Sequence, residues 1–255
     1  MNICPAENIY IVTNQHYVEL VKEQIKGISE EQILQEPFRR DTAPCITYVS
    51  QKIFLKNKNA TIIVAPSDHL ILKEIAFVDT INKAIHFVED KDVLLTLGVK
   101  PSNPNTGYGY IQYNEDKEQE GVYKIKAFTE KPNEELAKQF INSGDFLWNS
   151  GTFIWKASSI LKALENLLPE VYENIIESSA SFFTPKEFDA VKKAYSSCTS
   201  ISIDYGILEK ADNTYVLPAN IGWSDIGTWD SLYNAFEKDY FGNAVNANAQ
   251  VFDSF

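Results

Sequence analysis

Cysteine is scarce in this chain of 255 residues, and the three present, Cys4, Cys45 and Cys198, are odd in number and far apart. That pattern argues against a disulfide framework or a cysteine zinc site and fits a reducing cytoplasm. No apolar run approaches the ~18 residues of a membrane-spanning helix, and no basic-then-apolar leader opens the sequence, so neither a membrane nor a secretory route is expected. Clusters of Lys and Arg are missing as well. The formal net charge is −12, which argues against nucleic acid as a partner. A small anionic substrate remains compatible, because a few placed cations can serve it. What is there is ordinary for a globular chain: 44% hydrophobic and 23% charged residues, enough to bury the core of an α/β domain.

The first half alternates strand and helix signals. Residues 8–13 read as a short buried strand, followed by a helix through Tyr17, Leu20, Val21 and Ile25. After Ile33 and Leu34 a loop, residues 36–44, opens a helix. Asp41 or Thr42 can cap it, Pro44 falls in its first turn, and Ile46, Val49, Ile53 and Phe54 form its stripe. A strand over 61–65, a helix carrying Phe77, Ile81, Ala84, Ile85 and Val88 on one face, and a strand over 93–97 follow. This alternation predicts βαβ units and a parallel sheet. Beyond Gly107 the spacing predicts strands over 108–113 and 122–128 joined by an acidic loop, 114–120. A helix over 133–141, a Gly-interrupted strand over 146–155 and helices over 160–168 and 187–195 complete the pattern.

Two acids carry most of the chemical information. Asp68 lies in Pro66-Ser-Asp-His69, just past the β-branched run of 61–65, and ligands of open α/β sheets collect beyond such strand ends. Asp225 sits in the turn Gly222-Trp-Ser-Asp-Ile-Gly-Thr-Trp229. Together they suggest two carboxylates on one divalent cation, Mg²⁺, as phosphate chemistry requires. Taken alone, Asp68 reads more readily as a cap for the next turn than as a metal ligand. In Pro104-Asn-Thr-Gly-Tyr-Gly-Tyr-Ile111, the glycines around Tyr108, Gly107 and Gly109, let backbone approach a ligand; a bulged strand is the plain alternative. Glu130 can accept from sugar hydroxyls and Lys131 can meet a phosphate, although such a pair is often only a surface ion pair. Asn149, in Phe146-Leu-Trp-Asn-Ser-Gly151, offers both a donor and an acceptor.

In combination these motifs resemble bacterial mannose-1-phosphate guanylyltransferases. The resemblance rests on Glu36-Pro37-x-Arg-Arg40-x-Thr42-Ala-Pro44, Pro66-x-Asp-His69, Thr106-Gly-Tyr-Gly-Tyr110, Glu130-Lys-Pro132, Trp148-Asn-Ser-Gly151, Ser202-Ile-Asp-Tyr205 and Gly222-Trp-Ser-Asp-Ile-Gly227, in this order over nearly the whole chain. It implies a Rossmann-like nucleotidyltransferase domain of glycosyltransferase-A type, a mixed sheet flanked by helices, over residues 1–242. Residues 243–255 read as the start of a truncated C-terminal segment. The implied reaction turns GTP and mannose 1-phosphate into GDP-mannose and pyrophosphate, with a homodimer compatible. By resemblance, Asp68 and Asp225 hold Mg²⁺ and, with Lys131, are the catalytic residues. The loop with Glu36, Arg40, Thr42 and Ala43 lies near the guanine. Gly109, Glu130, Lys131, Asn149 and Asp204 surround the sugar phosphate, and Gly107, Tyr108 and Gly151 complete the substrate-binding residues.

One departure stands out. The family opens with a strand and a Gly-Gly-x-Gly-[Thr/Ser]-Arg-x-Trp-Pro loop whose backbone N–H groups cradle the triphosphate, and neither occurs here. The sequence joins the pattern at what would be the second strand. It therefore reads as a fragment lacking the first strand, with exposed strand edges and weakened or absent turnover expected. A second departure is Asp41, where the family commonly has Asn. The alternatives are a non-catalytic sugar-nucleotide-binding or regulatory relative, and a transferase for another sugar 1-phosphate.

Overall fold

The computed structural model describes residues 3–245, with backbone only for 116–119, 230, 234 and 235. Of the segment 243–255, residues 246–255 lie outside the described residues. In chain order the elements are β1 (Ile11–Asn14), α1 (Val18–Gln24), β2 (Ile33–Glu36), α2 (Thr42–Lys56), β3 (Thr61–Val64), β4 (Leu70–Ile71), α3 (Glu74–Val88), β5 (Leu94–Val99), β6 (Gly109–Gln119), β7 (Val122–Glu130), α4 (Glu134–Ser143), β8 (Phe146–Lys156), α5 (Ala157–Leu167), α6 (Pro169–Ser178), α7 (Glu187–Ser197), β9 (Thr214–Pro218), β10 (Trp223–Ser224) and α8 (Trp229–Ala235).

Helix ends follow local chemistry. The Asp41 carboxylate accepts from Thr42 N at 2.8 Å and starts α2. Asn133 caps α4 by accepting from Leu136 N, and Gly144, at φ 83°, ends it in the left-handed region. Pro169 sits in the first turn of α6, where its missing N–H costs nothing. It divides what the apolar spacing suggests is a single helix over 160–168 from a second one, α6, which the sequence reading omits.

The main sheet has the order β3-β8-β5-β9-β7-β6. The expected parallel arrangement of β3 beside β5 is not what forms, because β8 inserts antiparallel between them. The reason lies in β8 itself. Phe153 and Trp155 face one core with Ile62, Leu94 and Ile160, while Ile154 faces another with Ile81, Phe87 and Leu95. A strand apolar on both faces stabilises the fold only where both faces are covered. Parallel pairing survives in β5–β9 and in the separate pair β1–β2. The helix α2 spans both: Ile46 packs with Ile62 of the main sheet, while Tyr48 and Val49 pack with Leu34 of β2.

A further pairing of β6 with β8 closes β8, β5, β9, β7 and β6 into a ring. Its interior holds Ile111, Leu147 and Val216. Gly98 is required there, because a Cβ would stand 2.6 Å from both Leu147 Cδ1 and Val216 Cγ2. The acidic loop expected over 114–120 is instead the outer part of the β6–β7 ribbon, which turns at Glu120 and Gly121. Asn114, Glu118 and Gln119 keep ladder partners on β7, with an irregularity between Asn114 and Glu118.

Candidate active site

The short antiparallel ladder β4–β10 pairs Ile71 with Trp223 and Leu70 with Ser224. Asp68 lies two residues before Leu70 and Asp225 directly follows Ser224, so both acids leave the same end of this ladder. The structure thus brings together two loops separated by more than half the chain. The Asp68 side chain is 85% exposed. Asp225 is partly buried, and its Oδ1 accepts from the Tyr108 hydroxyl at 2.6 Å and from Gly227 N at 3.2 Å. Burial and the Asp225 charge both raise the Tyr108 pKa, keeping that hydroxyl a donor. Next to Asp225, Ile226 adopts φ 47°, a strained conformation for a β-branched residue.

The hydroxyl-accepting cluster lies on β7, β8 and the turn of π-helix at Asp204–Leu208. The Asn149 amide is committed at both ends. Its Oδ1 accepts from Thr96 Oγ1 at 2.9 Å and Gly151 N at 3.2 Å, while Nδ2 donates to Asp204 Oδ1 at 2.8 Å. Burial pushes the Asp204 carboxyl up to about 6, against its hydrogen bonds and with help from Asp41 and Glu209. Burial also raises Glu130, to about 7, reinforced by Asp204 and opposed by Lys131. These acids are poised between charged and neutral at neutral pH. Lys131 Nζ stands 3.7 Å from Glu130 Oε1 with its side chain 64% exposed, and its backbone takes φ 47°. Gly109 leaves room for this group, since a Cβ there would stand 2.4 Å from Glu130 Oε2.

Gly151 joins the two clusters. At φ 70° it turns the end of the Trp-Asn-Ser-Gly run against the Asp68 loop, and a Cβ would lie 3.2 Å from Pro66 Cγ and 3.6 Å from His69 Cε1. Gly107 serves the loop itself, its N–H donating to Asn105 Oδ1 at 2.7 Å. Tyr108 turns its hydroxyl to Asp225 and its ring to Trp148 and Trp223, so its side chain braces the site.

The 36–43 loop is zipped to the segment before Asp204. Ala43 N donates to Ile201 O at 3.0 Å, and Ile203 N donates to Thr42 Oγ1 at 2.8 Å. Ala43 is fully buried. The Arg40 guanidinium donates to the Tyr195 and Ser196 carbonyls, where it caps the C-terminus of α7. Glu36 ends β2, its Oε1 accepting from Tyr195 OH at 3.1 Å, and burial raises its carboxyl above the ordinary range.

Sequence reasoning missed several of these partners. Thr96 sits inside an apolar strand and reads as filler, although a buried polar residue in a β-branched run is a signal. Trp223 reads as a packing residue, yet its indole N–H donates to His69 Nδ1 at 3.1 Å. Tyr195, hidden in a helical stripe, gave no sign of its bond to Glu36.

Two carboxylates at one ladder end suit a cation that is also held by phosphate oxygens and water. No cluster of three or more His, Cys, Asp or Glu side chains that could hold a metal ion occurs among the described residues. Among the described residues no helix is long and apolar enough to cross a membrane.

Comparison with known proteins shows which family the chain is similar to. The alginate biosynthesis protein AlgA of Pseudomonas aeruginosa is 32% identical over 250 residues, 96% of this chain and 51% of the relative. A mannose-1-phosphate guanylyltransferase of Salmonella montevideo is 33% identical over 256 residues, 97% of this chain and 54% of the relative. The chain thus spans about half the length of the curated relatives it matches. Among solved structures, one described as mannose-1-phosphate geranyltransferase from Thermus thermophilus superposes with a TM-score of 0.81 at 26% identity, covering 92% of this chain and 66% of that one. Another, described as mannose-6-phosphate isomerase from Helicobacter pylori, gives 0.72 at 28% identity, covering 86% and 84%. The model of the nucleotidyl transferase family matches residues 3–240. With that match over nearly its whole length, the chain belongs to the nucleotidyl transferase family.

Proposed function

We propose that this chain carries the active site of a mannose-1-phosphate guanylyltransferase, joining GTP and mannose 1-phosphate to give GDP-mannose and pyrophosphate. One observation carries the reading: Gly151 packs the hydroxyl-accepting cluster of Asn149, Asp204 and Glu130 against the Asp68 loop, which the β4–β10 ladder joins to Asp225. A sugar 1-phosphate needs both parts adjacent. The name of the Salmonella montevideo relative, a mannose-1-phosphate guanylyltransferase, supports the choice of sugar and nucleotide.

The chemistry asks for no protein nucleophile. A phosphate oxygen of the sugar attacks the α-phosphorus of GTP in line. The bond to the bridging oxygen of pyrophosphate breaks, and its electron pair leaves with pyrophosphate. Mg²⁺ held by Asp68 and Asp225 would offset phosphate charge as it accumulates. Asp204 and Glu130 accept from sugar hydroxyls, and Asn149 holds Asp204 in place. Lys131 supplies a cation at the mouth of this cluster. Glu36 is an acceptor for N–H groups of a base at the end of β2. Free cysteines and a GTP substrate both fit a cytoplasmic setting.

A pyrophosphate-release assay with GTP, mannose 1-phosphate and Mg²⁺, paired with calorimetry of GDP-mannose binding, tests the proposal. Release dependent on both substrates supports it. Binding of GDP-mannose without release would keep the pocket and remove catalysis, and a folded chain that does neither would overturn the reading.

A further inference from the structure

The β4–β10 ladder that joins the two acid-bearing loops is only two residue pairs long, with Leu72 N to Gly222 O and Lys73 N to Ile221 O extending it away from the acids. A ladder this short is a weak clamp. The end that carries Asp68 and Asp225 is held instead by side chains, and Trp223 is at their centre.

Its indole N–H donates to His69 Nδ1 at 3.1 Å, with the two rings edge to face at 5.4 Å. A neutral imidazole that accepts at Nδ1 carries its proton on Nε2. That nitrogen faces the Asp68 carboxylate, 3.9 Å from Oδ1. On its other side, the Trp223 ring meets Tyr108 at 5.2 Å and 65°. Tyr108 in turn leans on Trp148 at 4.9 Å and donates its hydroxyl to Asp225 Oδ1. With Gly227 N on the same oxygen, both donors to Asp225 among the described residues go to Oδ1, which leaves Oδ2 for a ligand. One side chain therefore touches the neighbour of one acid and the hydrogen-bond partner of the other.

We propose that Trp223 is a positioning residue that fixes the Asp68 and Asp225 loops in a single arrangement through His69 and Tyr108, an inference that rests on the two-carboxylate reading above. Groups that orient metal ligands from the layer behind them change metal affinity by about 10–100-fold when removed. The packing of Trp223 alone would not act this way. Replacing it by Phe keeps an aromatic ring beside Tyr108 but removes the N–H donor to His69 together with part of the indole packing.

The test uses the chain with Trp223→Phe, Tyr108→Phe, Asp68→Asn and Asp225→Asn, and needs no turnover. Mn²⁺ binding is followed by electron paramagnetic resonance. The His69 tautomer is read from its imidazole ¹⁵N shifts in metal-free protein, where it is one of only three histidines. The expected result is an Nε2–H tautomer dominant in the unsubstituted chain and less populated in Trp223→Phe, together with Mn²⁺ affinity lowered about 10-fold or more in both aromatic variants. Unchanged Mn²⁺ affinity in Trp223→Phe and Tyr108→Phe, while the Asp variants lose it, would overturn the positioning role alone. If Trp223→Phe does not fold, Tyr108→Phe and the tautomer of the unsubstituted chain decide. Absence of Mn²⁺ binding in the unsubstituted chain, or Asp variants that bind like it, would remove the two-carboxylate reading and this inference with it.

Discussion

Asn149 Nδ2 donates to Asp204 Oδ1 at 2.8 Å, so under the proposed function this amide would act on the sugar phosphate through a carboxylate. Thr96 and Gly151 fix the other end of the amide, and it has little freedom to turn. Asn149→Ala removes the donor and leaves a buried acid short of a partner. Such a loss costs about 1–3 kcal/mol. The expected outcome is a KM for mannose 1-phosphate raised roughly 10- to 100-fold, with the GTP KM little changed. An equal rise in both would show that Asn149 supports the whole site.

The raised carboxyls of Glu130 (about 7) and Asp204 (about 6) make stability fall with rising pH. The sign follows from proton counting. Between the unfolded carboxylate range near pH 4 and these folded values, the native chain holds more protons than the unfolded one. Their contribution is therefore greatest in acid and is lost as pH rises toward 7. Glu130→Gln removes one such group and should flatten this decline. At pH 8 the variant should be more stable by on the order of 1 kcal/mol, once solvent screening of a partly exposed group is allowed for. Denaturant titrations of both chains at pH 5 and pH 8 check it, and a parallel pH dependence would refute the assignment.

Gly227 leaves the space that the Asp225 carboxylate occupies. A Cβ there would lie 2.7 Å from Asp225 Oδ2 and 3.4 Å from its Cγ, while no backbone stands in the way. The carboxylate can swing aside only by giving up its bonds from Tyr108 OH and Gly227 N. Gly227→Ala should therefore lose about 1–3 kcal/mol of stability and lose turnover by 10-fold or more because its Asp225 points elsewhere. Equal turnover in the two chains would mean that the Asp225 orientation is immaterial.

The sequence made these acids visible for a physical reason. Asp68 and Asp225 sit in turns rich in Gly, Pro and aromatic residues, where side-chain type and backbone demand are both unusual. Strand and helix types were legible wherever apolar periodicity ran long, as in α2, α3 and β8. The short strand β9 was not, because residues 214–218 carry too few alternations to separate from a loop. Nor was the outer part of β6, whose polar residues Asn114, Glu118 and Gln119 pair with β7. The place of β8 between β3 and β5 depends on two cores meeting across one strand, and no local pattern encodes that. Hydrogen bonds such as Trp223 to His69 join residues 154 apart, and they follow only from the folded register.

The same long-range logic holds the helical layer. Glu187 on α7 accepts from Lys52 Nζ and Tyr48 OH of α2 through one oxygen, while its other oxygen accepts from Phe183 N. Burial alone would raise the Glu187 carboxyl, but the Lys52 ammonium and these donors hold it below its ordinary value. The side chains are 7% and 14% exposed, so neither charge has water to fall back on. Removing one partner of such a pair leaves an uncompensated charge and costs about 3–5 kcal/mol. Lys52→Ala should lower stability by that amount, whereas the pair of changes Lys52→Met and Glu187→Leu should recover most of it. Because the Glu187 carboxyl is depressed, its contribution is full above the unfolded carboxylate range and is lost as the pH falls through the folded value. The parent chain should then lose stability below about pH 4 more steeply than the doubly substituted chain. Urea melts at pH 3.5 and pH 7 test both statements, and a Lys52→Ala chain as stable as its parent would show that α7 docks on α2 by apolar packing alone.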